Sequence, residues 1–155
     1  MVETERTDRD LGLSFRFATD IDILALVKLR LAIDRDQARR FGRDRWSTTI
    51  SERSVARGLK SSRVLVAQHQ GQIIGALRMD TKKPWAIDLK YFTPAVKAVY
   101  LHDVNVEPRL QRSGVGRELI ERAKAVAQAW PADAIRLDAY DGPSGAGPFY
   151  AKCGF

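Results

Sequence analysis

Apolar positions change their spacing several times along the chain, and each change marks a new element. Residues 14–18, SerPheArgPheAla, alternate polar and apolar side chains and predict a strand. Thr19 and Asp20 follow, and either can cap a helix. Leu24, Val27 and Leu31 then recur at i, i+3 and i+7, with Ile23, Leu26 and Ile33 widening the stripe. That spacing predicts a helix packed on a sheet and ending before Gly42. A weaker helical pattern runs from about Thr48 to Leu59, with Ser47 as its cap and Gly58 near its end.

Val64, Leu65, Val66 and Ala67, a polar turn over 69–72 containing Gly71, and a run from Ile73 towards Met79 read as a β-hairpin. Residues 81–97 carry Pro84, Pro94, Trp85, Tyr91 and Phe92, a composition that suits a structured loop rather than a linker. A strand is expected over 98–106, AlaValTyrLeuHisAspValAsnVal, stopped by Pro108. A helix should follow over 114–130, with Leu119, Ile120, Ala123, Val126 and Ala127 inward and Pro131 at its end. A last strand over 134–139 leads through a Gly-rich segment into a short helix at 149–152, with Gly154 as its terminator. No internal repeat interrupts this order. It predicts one α/β domain, a mixed sheet with helices on its faces, preceded by a polar tail over residues 1–12.

Composition narrows the class. The chain has 155 residues, the size of one ordinary domain. No apolar run approaches the roughly 18 residues that a membrane span needs. The polar, acid-rich start resembles neither a secretory signal nor a transit peptide, so a cytoplasmic location is the expectation. One cysteine, Cys153, excludes an internal disulfide and a cysteine-based metal site, and no metal is expected. The formal net charge is +7. Arg35, Arg39, Arg40, Arg43 and Arg45 gather before Trp46, while Arg109, Arg112 and Arg117 flank a pair of glycines. Such potential favours an anion, whether nucleic acid, a membrane surface, an acidic substrate or a cofactor's phosphates. Charge alone does not choose among them, and a solvated helix face is the simpler account of the first cluster.

The segment ValAsnValGluProArgLeuGlnArgSerGlyValGlyArgGluLeu, residues 104–119, carries the chemistry. A strand ends there and a glycine-containing loop opens a helix. The first amides of a helix lack intrahelical acceptors and point outward beside the positive end of the dipole, so they suit a pyrophosphate. Gly114 and Gly116 let phosphates approach that backbone, and Arg112 and Arg117 add charge. A P-loop is excluded, because one residue separates the glycines and Arg117 follows them. A dinucleotide fingerprint fits poorly, because Leu119 stands where its third glycine belongs and seven residues separate Val106 from Gly114.

Gln111 to Gly116, following Val106-Glu107-Pro108, resembles the cofactor loop of the GNAT acetyltransferases, Gln/Arg-x-x-Gly-x-Gly/Ala after Val-x-Pro. The segments IleArgLeuAspAlaTyr and GlyAlaGlyProPheTyrAlaLysCysGlyPhe resemble that family's ending. The resemblance implies a mostly antiparallel sheet in which two parallel strands splay apart to admit acetyl-CoA. Backbone groups of Val104 and Val106 would meet the pantetheine arm, and amides of Gln111, Arg112, Ser113, Gly114, Val115 and Gly116, with Arg117 beside them, would hold the pyrophosphate. Tyr150 matches the family's general acid near the thioester sulfur. Pro143 replaces a common asparagine, so the resemblance implies that this contact is lost or moved to Asp141 or Ser144. Members ordinarily continue through two further strands, and these are expected to be missing here, since the sequence stops at Phe155.

The implied reaction is direct attack of an amine on the thioester. An alkyl amine with a pKa near 10 is about one part in a thousand neutral at pH 7, so a base helps. His102 is the candidate, with Asp103 as an alternative; ideal alternation puts Tyr100, His102 and Val104 on one face. The Val106 amide is a candidate oxyanion donor. Cys153, close to a helix C-terminus and lacking an adjacent base, suits packing better than nucleophilic catalysis. The expected acceptor is a small-molecule amine enclosed by Phe41, Trp46, Trp85, Tyr91 and Phe92, and the arginine cluster hints at an acidic one. A protein acceptor and a non-catalytic acyl-CoA sensor are the alternatives. Neither nucleic acid nor membrane is expected as a partner, and a homodimer is a base-rate expectation.

Overall fold

The computed structural model describes residues 11–42, 50–140, 142–143 and 145–155. Five strands, β1 (Leu13–Phe17), β2 (Arg63–His69), β3 (Gln72–Asp80), β4 (Ala98–Val106) and β5 (Ala134–Arg136), form one sheet in the order β1-β2-β3-β4-β5. All neighbours are antiparallel except β4 and β5. Helices α1 (Ile23–Phe41) and α2 (Glu52–Ser61) cover one face, and α3 (Val115–Ala129) covers the other. The short α4 (Gly147–Lys152) ends the described chain beside α3.

The two cores follow strand alternation. Val64, Val66 and Ala76 face Leu26, Leu29, Ile33 and Val55, whereas Leu65, Ala67, Leu77 and Met79 face Val115, Leu119, Ile120 and Ala123. In α1 the buried stripe is therefore Leu26, Leu29 and Ile33, while Leu24 is 67% exposed. Two apolar stripes compete in that helix, and the sheet selects the one that meets its inward side chains. Arg16 fixes the entry to α1, because its guanidinium grips the Asp22 carboxylate with two 2.8 Å bonds. The Thr19 N–H adds a third bond to Asp22.

Helix α2 begins at Glu52 rather than Thr48. Ser51 and Ser54 cap it reciprocally, each backbone N–H donating to the other's hydroxyl at 3.1 Å. Ser47, Trp46 and Thr48 lie outside the described residues. The β2–β3 turn is Gln70-Gly71, both with positive φ, as a two-residue hairpin whose twist matches its strands requires.

Two irregularities shape the functional edge. Strand β4 carries a bulge: Arg78 pairs with His102 and Ala76 with Asn105, so β4 spends one extra residue, and Asp103 adopts a φ of 51°. The bulge reverses the alternation. Val99 and Leu101 before it, and Val104 and Val106 after it, all pack on the α3 core. His102 and Val104 consequently do not share a face, contrary to the ideal pattern. In addition, β5 is three residues long rather than running to Ala139, and its pairing with β4 ends at Tyr100–Arg136 although β4 continues to Val106. The parallel strands part there.

Loop 81–97 is structured as expected. Ile87 is buried, and the Asp133 carboxylate accepts from the N–H groups of Val96 and Lys97 at 2.9 Å each. Trp85 and Tyr91, however, are 90% and 78% exposed and enclose nothing.

Candidate active site

Beyond the last β4–β5 pair lies a cleft of about 420 Å³. Its floor is Val104, Asn105 and Val106 of β4. One wall is the loop and first turn of α3, with Gln111, Arg112, Gly114, Gly116 and Arg117; the facing wall is the C-terminal half of α1, and Phe149 and Tyr150 of α4 complete it.

The loop is held by local chemistry. Glu107 accepts from the Arg109 N–H at 2.9 Å, and Pro108 opens a short 3₁₀ turn over Pro108–Leu110. The Gln111 side chain donates from Nε2 to the Val106 carbonyl at 3.2 Å, which ties the loop back to the strand. The Ser113 hydroxyl turns inward to the Leu110 carbonyl. Arg112 and Gly114 both have positive φ, and Gly114, at 99°, stands at the N-cap of α3. The first helical bond to it comes from the Glu118 N–H, which leaves the amides of Val115, Gly116 and Arg117 without intrahelical acceptors. A Cβ on Gly116 would lie 3.1 Å from the Phe149 ring and 3.5 Å from Val106, so the glycine lets α3 lie against α4 without displacing that ring. Gly75 serves the same end beneath the site: a Cβ there would lie 3.2 Å from the Asn105 carbonyl and 3.4 Å from Val115.

Ladder geometry frees one more donor. Glu107 donates its N–H to the Ile74 carbonyl at 2.8 Å, and Gly75 is paired with Val106. Because antiparallel pairs alternate between hydrogen-bonded and non-hydrogen-bonded, the Val106 N–H and C=O point away from β3, towards the gap that β5 leaves.

Charge in the cleft is mostly positive. Arg40, Arg112 and Arg117 border it, and Asp36, the one carboxylate among the described lining residues, is held by Arg39 at 2.7 Å and Arg40 at 3.5 Å. Tyr150 packs between Phe149 and Phe155, with ring centroids 5.4 and 6.3 Å away. Burial, with Asp138 second, pushes its hydroxyl up to about 12.

Of the residues singled out from sequence, Val104, Val106, Gln111, Arg112, Gly114, Gly116, Arg117 and Tyr150 line the cleft. Ser113 and Val115 do not: the first turns its hydroxyl into its own loop and the second is buried in the core. Asp141 and Ser144 lie outside the described residues. His102 does not line the cleft. It is half-buried across the bulge, its Nε2 has no partner among the described residues, and its Nδ1 lies 3.9 Å from Asp103. Burial first and Arg78 second lower its pKa, so it is neutral at pH 7.

Asp36, Gln37 and Asn105 of the lining have no sequence signal, being ordinary polar residues. Phe149, Arg40 and Phe41 had one, as an aromatic beside Tyr150 and as parts of the arginine and aromatic groups.

The sequence matches the Acetyltransferase (GNAT) family over residues 30–155, most of its length. The chain belongs to the GNAT acetyltransferase family. Solved structures share its fold, acetyltransferases among them. A mutant of the BH1408 protein from Bacillus halodurans is 23% identical over 92% of each chain, with a TM-score of 0.69. An aminoglycoside acetyltransferase from an uncultured soil metagenomic sample is 20% identical over 93% of this chain and 88% of its own, with a TM-score of 0.64. Glucosamine-6-phosphate N-acetyltransferase from Arabidopsis thaliana is 15% identical over 92% and 90%, with a TM-score of 0.60. No curated protein gives a significant match. Among the described residues no helix is long and apolar enough to cross a membrane, and no three His, Cys, Asp or Glu gather as a metal site.

Proposed function

We propose that this GNAT acetyltransferase moves an acetyl group from acetyl-CoA to the amine of a small molecule by direct attack. The observation that carries the reading is the joint lining of one positive cleft by the opened β4 edge, the free amides of α3 and the Tyr150 side chain. The residues present fit the cofactor. Gly114 and Gly116 line the cleft at the α3 N-terminus, where amides lack intrahelical acceptors, and Arg112 and Arg117 stand beside them. Acetyl-CoA supplies the acetyl group as a thioester, and the protein's residues do the rest.

The amides of Val115, Gly116 and Arg117 bind the pyrophosphate, and the strand edge from Val104 to Val106 aligns the arm. The Val106 N–H, aimed into the gap, offers a hydrogen bond to the carbonyl oxygen as it gains charge, a contribution of about 3 kcal/mol where such donors are well aimed. Tyr150, on the cleft wall, would stand against the departing sulfur. With its pKa near 12 it stays protonated and donates a hydrogen bond rather than its proton. His102, neutral at pH 7, is the candidate base of this scheme, although it stands outside the cleft lining and 3.9 Å from Asp103.

Release of CoA thiol from acetyl-CoA across a panel of primary amines tests the reading. Acceptor-dependent thiol release and an N-acetyl product support it. Tight CoA binding with no turnover of any amine or peptide would favour the acyl-CoA sensor instead.

A further inference from the structure

Helix α1 buries Leu26, Leu29 and Ile33 against the sheet, and the same stripe continues at i+3, i+4 and i+7 from Ile33 with Asp36, Gln37 and Arg40. Its character changes because its surroundings do. The apolar part lies on Val64, Val66 and Ala76 of β2 and β3, whereas Asp36, Gln37 and Arg40 line the cleft opposite the loop and first turn of α3. Arg40 stands about 10 Å beyond Ile33 along the helix axis. Helix α1 also touches the Pro108–Leu110 turn that leads into the facing loop.

The end of α1 carries two cations for one carboxylate. Asp36, its side chain only 11% exposed, accepts from Arg39 at 2.7 Å and meets Arg40 at 3.5 Å through its other oxygen. Arg39 is 78% exposed and lies outside the cleft lining, whereas Arg40 belongs to that lining, with its guanidinium carbon 5.0 Å from the Phe41 ring centroid. The helix dipole accounts for a cation in the last turn of α1, but it treats Arg39 and Arg40 alike. It does not explain why one of them borders the cleft. On the facing wall Arg112 and Arg117 stand beside the amides of α3 that lack intrahelical acceptors. Three guanidinium groups on two walls therefore border one space, and the carboxylate among its described lining residues is already held by Arg39.

We infer that Arg40 clamps the pyrophosphate of the cofactor from the α1 wall, opposite the amides of Val115, Gly116 and Arg117, and so positions acetyl-CoA from the second side. The inference rests on the acetyl-transfer reading for the identity of the ligand. A pyrophosphate seated on a helix N-terminus turns some of its oxygens away from that helix, and a guanidinium offers them paired N–H groups with full charge. Binding exchanges the long contact of Arg40 with Asp36 for a shorter one to phosphate. Asp36 keeps Arg39, so no carboxylate is left without its counter-ion.

Calorimetry with CoA and with 3′-dephospho-CoA, which keeps the pyrophosphate and lacks the third phosphate, tests the clamp on wild type, Arg40→Met, Arg40→Lys and Arg35→Met. Arg35 is an exposed residue of α1 outside the cleft lining, so Arg35→Met removes the same charge without touching the site. Arg40→Met should bind both ligands roughly tenfold more weakly, with a ligand-free Tm within a few degrees of wild type. Arg40→Lys should recover part of the loss, and Arg35→Met should stay within about twofold of wild type. Equal affinities in Arg40→Met and Arg35→Met overturn the inference, because charge would then act only at a distance. A loss confined to CoA overturns it too, since the contact would lie on the 3′-phosphate. Folded wild-type protein that binds neither ligand sinks the acetyl-transfer reading itself, whereas wild-type binding that Arg40→Met leaves intact sinks the clamp alone.

Discussion

Replacing Tyr150 by Phe removes one hydroxyl and keeps the ring that packs against Phe149 and Phe155. The folded state should therefore tolerate the change, with a Tm within a few degrees of wild type. The catalytic effect follows from the pKa. A hydroxyl near 12 faces a thiolate whose unperturbed pKa is about 8.5, so full proton transfer is uphill by roughly 5 kcal/mol. What the phenol can supply is a hydrogen bond to a charged acceptor, which is worth about 1.5–3 kcal/mol. At the transition state that corresponds to a fall in kcat of roughly ten- to a hundredfold. The assay is continuous thiol detection with saturating acetyl-CoA, and CoA affinity is measured separately by calorimetry. Because the hydroxyl stays protonated up to about pH 11, the pH–rate profile of the variant should parallel that of wild type, displaced downward. An unchanged kcat, or loss of a pH-dependent limb between pH 7 and 10, would refute this account of Tyr150.

Other consequences are equally direct. Gly114→Ala places a side chain at a φ of 99°, and unfolding by urea should show a loss of about 1–2 kcal/mol. Asp22→Asn breaks the two-bond grip of Arg16, and about 2 kcal/mol should be lost at pH 7, discounted because the Arg16 side chain is 38% exposed. Arg16 lowers the Asp22 pKa, so the stabilisation is present above the unfolded value near 3.9 and disappears as pH falls through the lower folded value; the variant should lack that acid limb. The fold also lowers the His102 pKa, so its contribution is complete above about pH 6.5 and is lost as pH falls. His102→Gln should flatten stability below pH 6.5 and lower kcat at pH 7 with acetyl-CoA affinity unchanged; wild-type kcat in that variant would remove the histidine from the mechanism.

The legible parts of this molecule are those where one local signal dominates. Strand β4 begins and ends where its pattern placed it, because Pro108 stops it, and α3 follows from its apolar spacing and Gly114. The loop that opens α3 was readable as a loop because Gly114 and Gly116 follow a strand ended by Pro108. The bulge at Asp103 was not, since nothing in AlaValTyrLeuHisAspValAsnVal distinguishes an extra residue from regular alternation, and the placement of His102 beside Val104 failed for that reason. The α1 stripe was read in the main, with Ile23, Leu26, Val27 and Ile33 on the sheet, but Leu24 proved exposed and Leu29 took its place in the core. Arg136 sits in an ordinary alternating strand, and its burial depends on loop 81–97 folding over it. The aromatics Trp85 and Tyr91 were expected as walls and proved exposed, since aromatic content does not specify direction.

The most direct measurement is a calorimetric titration of the full chain with CoA, repeated for Arg117→Glu and at rising salt. The account predicts one site per chain, with affinity falling as salt rises and at least tenfold weaker binding in the variant at unchanged Tm, because the pyrophosphate is held by the α3 N-terminus beside Arg112 and Arg117. No binding by the folded wild-type protein, or binding indifferent to both Arg117→Glu and salt, would contradict it.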